Sequence, residues 1–448
     1  MHDNHALFSW TGKAPALPSI SLALQHLVAM IVGCVTPAIV ISNTAGLPTE
    51  EGILLIQSSL VMSAVATFLQ LYPIGRHFGS GLPMIFGVSF AYLPSMLAIV
   101  GTSGGLSSIA GAMVVGGITA FIVGIFVKKI RKLFPPVITG TVVFTIGLSL
   151  YPTAINYMAG GTANTAEKIA SSGLPTSLIY GSWQNWLIAI ITLAIVLTLN
   201  YKAKGVVKLA SIIIGMTCGY VIALFFGMVD FSPIADARWL APPKFLPFGI
   251  KFDFGACTAL SILFAINSIQ AIGDFTATTV GGFDRDPEDH ELQGGIIAYG
   301  FSNIFAAFLG GLPTASFSQN VGIVSTNKVV NRGVFTYAAF FILLAGISPK
   351  FSAILTTIPQ CVLGGATITV FSTIAMTGMK LIASQDFTAR NTTIVGLSAA
   401  LGVGISQASA SLNMMSDTFI LIFGKSPVVI ATIMAVFLNI ALPKDLKD

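Results

Sequence analysis

The chain has 448 residues, of which 54% are hydrophobic and only 9% charged, with a formal net charge of +5. A soluble globular domain carries about 25% charged residues, so a chain this long and this apolar would expose far too much oily surface to water. Its basic residues sit at the ends of long apolar runs, which excludes a nucleic-acid footprint and points to a lipid bilayer. The four cysteines, Cys34, Cys218, Cys257 and Cys361, each fall in an apolar stretch without metal-ligand spacing, so neither a disulfide framework nor a zinc site is expected.

In chain order, residues 1–18 form a polar tail without the basic start and short apolar core of a leader, so the first apolar run, 22–41, is expected to stay as a spanning helix. A span needs about 20 apolar residues. Clear runs follow at 53–72, 107–127, 185–200, 207–228, 254–272, 292–310, 334–347 and 426–442. Weaker or interrupted runs lie at 84–100, 135–152, 314–326, 358–379 and 391–406, which brings the expected total to about fourteen, all α-helical. With the N-terminus in the cytoplasm, the inner segments hold sixteen of the 22 Lys and Arg residues, among them Arg76, Lys128, Lys129, Arg131, Lys132, Lys444 and Lys447. An excess of Lys and Arg marks the cytoplasmic side, so both termini are expected there, in a multi-pass protein of the inner (cytoplasmic) membrane.

Two pairs of segments repeat. GLPMIFGVSFAYL from Gly81 matches GLPTASFSQNVGI from Gly311 at an offset of 230, and Pro135–Gly140 matches Pro359–Gly364 at an offset of 224. Seven spans per half, an odd number, make the repeat inverted. Proline removes a backbone donor and glycine weakens a helix, and each Gly-Leu-Pro is followed by polar residues at membrane depth: Ser89, then Ser316, Ser318, Gln319 and Asn320. Non-helical backbone is tolerated there only inside protein or against a cavity. Both segments, the third and the tenth, are therefore expected to be a short extended stretch followed by a half-helix. Their N-termini would offer N–H groups and positive dipole ends to a shared ligand. At offset 230, Ser89 corresponds to Gln319.

Few other polar groups lie at this depth. Gln25 and His26 sit in the first span; Gln270 and Asp274 share a helix face one turn apart. An amide both donates and accepts, which suits a flat heterocycle with alternating C=O and N–H edges, and Phe90 beside Ser89 and Ala91 offers an aromatic face. The acidic run Asp284–Glu291 reads as a solvated linker rather than a metal site. No Walker, Gly-x-Ser-x-Gly or His-Glu-x-x-His sequence occurs, so no enzyme and no cofactor is expected, and concentrating transport would draw on an ion gradient.

The stretch Ser318–Val329, with Gln319, Asn320, Gly322 and Thr326, resembles the signature of the nucleobase–ascorbate transporter family (nucleobase:cation symporters, the xanthine and uracil permeases). Gln25-His26 and QAIGDFTAT from Gln270 are similar to further family motifs, and the resemblance covers nearly the whole chain. It implies a core domain of spans one to four (19–128) and eight to eleven (233–348), and a gate domain of spans five to seven (129–232) and twelve to fourteen (349–448). It also implies a homodimer, elevator-like motion, and a nucleobase taken up with a proton or sodium ion. Gln at position 319 goes with purine-type members, favouring xanthine or uric acid; uracil is the alternative base. The family usually has a Glu at the position of Gln270, and xanthine-type members an Asp at that of Tyr299, so two expected carboxylates are missing. Asp274 or His26 would then carry any coupled proton. Competing readings are an anion transporter of the related sulfate-carrier type, a membrane-embedded enzyme using His26 and Asp274, and a sensor that binds a base without moving it.

Overall fold

Long apolar stretches satisfy their backbone groups internally as helices, the arrangement a bilayer demands. The structure, a computed structural model, describes residues 4–443 other than 76, 102–103, 128–134, 173 and 417–418. Seven of the basic residues that set the expected orientation, Arg76, Lys128, Lys129, Arg131, Lys132, Lys444 and Lys447, lie outside the described residues, as does the expected domain boundary at 128–129.

Fourteen segments follow in chain order: α1 (Ala16–Ala45), α2 (Thr49–Leu71), β1 (Phe86–Val88) leading into α3 (Leu93–Val100), α4 (Gly105–Ile125), α5 (Pro136–Met158), α6 (Trp183–Lys202), α7 (Ser211–Phe225), α8 (Phe254–Phe283), α9 (Asp289–Phe308), β2 (Thr314–Ser316) leading into α10 (Ser318–Asn327), α11 (Arg332–Gly346), α12 (Gln360–Ala383), α13 (Ala389–Gln407) and α14 (Pro427–Ala441). Among the described residues, seven helices are long and apolar enough to cross a membrane, or eight counting α11 with Pro349–Thr356, which follows at a 75° bend.

The interrupted spans divide into two kinds. Those at 84–100 and 314–326 are broken as expected. Those at 135–152, 358–379 and 391–406 lie in continuous helices; in the first two, Pro135 and Pro359 stand at the N-cap, before the first turn, and the first helix also runs on through Pro152. A proline at the N-cap costs no intrahelical hydrogen bond. The Pro135 and Pro359 repeat thus marks two equivalent helix starts, and α5 and α12 pack along each other through glycines. A Cβ at Gly147 would lie 2.4 Å from Ala375 N, and one at Gly378 2.2 Å from Phe144 N.

The two broken segments meet as a two-stranded antiparallel sheet, Phe86 opposite Ser316, Gly87 opposite Ala315 and Val88 opposite Thr314. Two flanking bonds continue it: Ser89 N–H donates to Pro313 O at 3.1 Å and Phe317 N–H to Ile85 O at 3.0 Å. These bonds are images of one another only if Ser89 is equivalent to Phe317, an offset of 228. The expected equivalence of Ser89 with Gln319 is therefore corrected: Ala91 is the counterpart of Gln319. The first half carries two extra residues, Met84 and Ile85, between its Gly-Leu-Pro and its strand.

Helices α1–α4 and α8–α11 pack mainly on one another, and α5–α7 and α12–α14 form a second group. The N-terminal tail fixes which ends share a side. Val330 and Asn331 N–H donate to Leu7 O at 3.1 Å, Asn331 Nδ2 donates to the carbonyls of Ala6, Ser9 and Gly12, and Trp10 packs edge-on against Phe283. The tail, the end of α8 and the start of α11 therefore lie on one side. Here Glu291 takes both Arg285 guanidinium nitrogens, at 2.5 and 2.9 Å, which holds that guanidinium above its ordinary pKa, and Glu288 N–H donates to Glu291 at 2.8 Å. The acidic run is the capping turn of α9. The start of α8 lies on the far side, where Lys251 N–H donates to Ser107 O at 2.9 Å.

Candidate functional site

A cavity of about 260 Å³ lies where the strand crossing faces the second helix group. One wall holds Ser89, Phe90 and Ala91 from the first broken segment, Ser316, Phe317, Ser318 and Gln319 from the second, and Gln270 near the midpoint of the 30-residue α8. The other wall holds Val143 and Ile146 of α5 and Thr373, Ile374 and Thr377 of α12. Ser89 accepts from Ala91 N–H at 3.2 Å, so its hydroxyl hydrogen is left to donate. Ser318 and Gln319 open α10, where the first amides have no intrahelical acceptor. Phe90 meets Phe371 of α12 edge-on, with ring centroids 5.1 Å apart. The cavity thus offers two amides, hydroxyls, helix-start N–H groups and aromatic faces, and no formal charge among its lining side chains.

The charged and titratable candidates stand behind this wall. Asp274 is buried and does not line the cavity. Its carboxylate accepts from Ser316 at 2.5 Å and Ser318 at 2.8 Å, which ties α8 to the junction of β2 and α10. Asn320 also turns away from the cavity. Its Nδ2 donates to His26 O and to His26 Nδ1, each at 3.0 Å. A carbonyl can only accept, so the amide nitrogen faces His26, Nδ1 is unprotonated, and the imidazole proton sits on Nε2. His26 itself is fully buried against Phe335, with centroids 4.6 Å apart. Gln25, one residue earlier, is half-buried and away from the cavity lining. Gly322 and Thr326 lie one turn apart on the exposed face of α10 that also carries Gln319, with Thr326 Oγ1 donating to Gly322 O at 2.7 Å.

Tyr299, where the family resemblance expects an aspartate, is buried and shares a hydroxyl–hydroxyl hydrogen bond with Tyr92. It packs against Phe264 and Phe86, centroids 5.6 and 6.0 Å away, so a packed tyrosine pair occupies that position. The residues that sequence reading missed are Phe317 on the first wall and all those of the second. Thr369, Thr373 and Thr377 recur every four residues, a polar stripe that could have marked α12; Val143 and Ile146 carry no such signal.

Inverted halves broken at mid-depth around a polar cavity between two helix groups define a polytopic membrane transport protein. A model of the permease family matches residues 18–411. The chain is 32% identical over 426 residues to the uric acid permease PucK of Bacillus subtilis (strain 168), covering 95% of each protein. It is 30% identical over 457 residues to the xanthine permease XanQ of Escherichia coli (strain K12), covering 98% of this chain and 95% of the relative. The chain belongs to this permease family, the nucleobase–ascorbate transporters, and is a permease rather than an enzyme. Its fold is shared more widely. The transmembrane domain of the cyanobacterium bicarbonate transporter BicA matches with a TM-score of 0.55 at 15% identity, covering 95% of this chain and 97% of the other. The murine Solute Carrier 26 family member A9 matches with a TM-score of 0.60 at 11% identity, covering 96% and 69%.

Proposed function

We propose that this permease takes up an oxidised purine, xanthine or uric acid, across the inner membrane, both termini being cytoplasmic. Gln270 and Gln319 hydrogen-bond opposite edges of the base, Ser89 and the α10 amides hold its carbonyls, and Phe90 and Phe317 cover its faces. One observation carries the reading: two amides and no charge line a cavity just under the usual range of about 300–1,000 Å³ for drug-sized ligands. That volume suits a flat ligand of one or two rings. Relatives named uric acid and xanthine permeases support the base class.

In this reading the first helix group is the core (19–128 and 233–348) and the second the gate (129–232 and 349–448). The core carries the base past the gate as an elevator, in a homodimer, driven by a proton. Asp274 and His26 are the buried titratable groups nearest the site: Asp274 reaches it through the cavity-lining Ser316 and Ser318, whereas His26 is one step further back, bonded to Asn320, the chain neighbour of Gln319. Asn320 acts as a positioning residue. Gly322 and Thr326 keep the face of α10 beyond Gln319 small, which leaves a route out of the cavity.

The test is uptake of labelled xanthine, urate and uracil by proteoliposomes, with and without a proton or sodium gradient. The expected outcome is saturable purine uptake that an inward proton gradient concentrates and that unlabelled uracil leaves unchanged. Displacement by uracil alone would replace the purine reading. Chloride or sulfate flux without base binding would replace the nucleobase reading altogether.

A further inference from the structure

The boundary between the two helix groups is unlike at its two ends. On the tail side of the cavity the facing residues stand open: Gln319, Gly322 and Thr326 of α10, Gly273 of α8, and Thr373 and Thr377 of α12 are all exposed. A Cβ added at Gly273 or Gly322 would meet nothing within 4 Å. On the far side the boundary is shut. Ala259 of α8 clusters with Ile422 and Val429, and a Cβ at Gly255 would lie 2.9 Å from Leu421.

Among the described residues, that shut end holds a buried polar contact. Ser95 Oγ of α3 and Ser426 Oγ, at the N-cap of α14, are 2.6 Å apart, with 1% and 0% of each residue exposed. Both serines depart from what their positions favour. A serine at an N-cap ordinarily accepts from the N–H of the second or third helical residue, yet Ser426 makes no such bond. A helical hydroxyl in this protein ordinarily turns back on the carbonyl four residues earlier, as Ser63, Thr67, Thr141 and Ser268 do. Ser95 reaches across to the other helix group instead. Ser426 also follows a single π-helical turn, Ile420–Gly424, an irregularity that recurs at functional places.

We infer that the Ser95–Ser426 hydroxyl pair is the far-side latch of this permease, a bond that exists only while the cavity opens toward the tail side and that breaks whenever it opens the other way. The inference rests on the transport reading above. Opening the far side hydrates both hydroxyls, whereas removing one partner strands the other in the shut form alone, so loss of either serine shifts the population toward the far-open state.

The experiment uses the full chain in oriented vesicles, with Cys218 and Cys257 replaced by alanine and Thr373→Cys as the reporter inside the cavity. A membrane-impermeant maleimide is applied from each side in turn, and xanthine binding to the purified protein is measured in parallel. With both serines present, Thr373→Cys should react chiefly from the tail side. Ser95→Ala and Ser426→Ala should each raise far-side reactivity about fivefold, and the double variant should add nothing beyond the larger single effect. Unchanged far-side reactivity, or effects that multiply in the double variant, would overturn the latch. Either serine reports on the same bond, so a variant that fails to fold is replaced by its partner. If xanthine does not bind the purified chain in which Thr373 and both serines are intact, the transport reading fails instead, whatever the serines do.

Discussion

Gln319 and Asn320 are chain neighbours with different duties. Gln319 lines the cavity and is exposed within it; Asn320 is buried on His26. Gln319→Ala should therefore leave the melting temperature within about 1 °C while purine affinity falls at least about tenfold, the cost of a lost amide contact, read by calorimetric titration. Asn320→Ala should do the reverse in part. It removes the donor to His26 O and Nδ1, so stability should drop by about 1–3 kcal/mol, seen as a lower melting temperature. Asp274 permits a finer cut between positioning and proton carriage. Its carboxylate accepts from two serines, and an asparagine could keep both contacts, accepting from one hydroxyl and donating to the other. Asp274→Asn should thus hold purine affinity within about threefold yet lose accumulation driven by a proton gradient, whereas Asp274→Ala should lose both. Proton-driven accumulation surviving in Asp274→Asn would pass the coupling role to His26.

At the scale of elements, the strand crossing is where the fold and the site become one object, and it leaves no room for a side chain. Gly87 pairs with Ala315 on the axis of the crossing, and a Cβ there would lie 2.2 Å from Cys34 Sγ and 2.9 Å from the Phe317 ring. Gly87→Ala should cost about 1–3 kcal/mol by overpacking, and Cys34→Ala in the same chain should recover part of it; thermal melting of the single and double variants measures the coupling. Much of this was legible in sequence. Proline and glycine after apolar runs announce a broken span, because their backbone chemistry acts locally, and the polar residues behind them announce what the break serves. The exact register was not legible: Met84 and Ile85 are as apolar as their neighbours, so a two-residue insertion before β1 leaves no mark in hydropathy. Nor was the continuity of α5 and α12, since a proline at an N-cap and a proline inside a helix look alike until the helix start is known. The turning of Asn320 away from Gln319 depends on helical phase at a junction that hydropathy does not fix.

At the scale of the whole molecule, the cavity belongs to neither helix group, and this is what the sequence could least foretell. Gln270, Ser89, Ser316, Ser318 and Gln319 stand out as polar groups in oily surroundings, but Val143, Ile146 and Ile374 are ordinary apolar helix residues until the two groups face each other. A cavity built this way has a mechanical consequence. If the base is held by the core and covered by the gate, the two walls must separate for it to leave on either side. A covalent tie between them should then stop transport without removing the binding groups on the core. Gln270, Gln319 and Ser318 are left intact for this purpose, and the tie is made between Ala91→Cys and Thr377→Cys, one from each wall, in a chain whose Cys218 and Cys257 are alanine. A short bifunctional thiol reagent with a reducible arm should abolish uptake in proteoliposomes, and reduction should restore it. Bound purine should slow the reaction, because it fills the space the reagent must bridge. Uptake that continues at its original rate through a fully formed tie would mean that the two helix groups do not move past one another, and the elevator account would have to yield to local opening of the cavity.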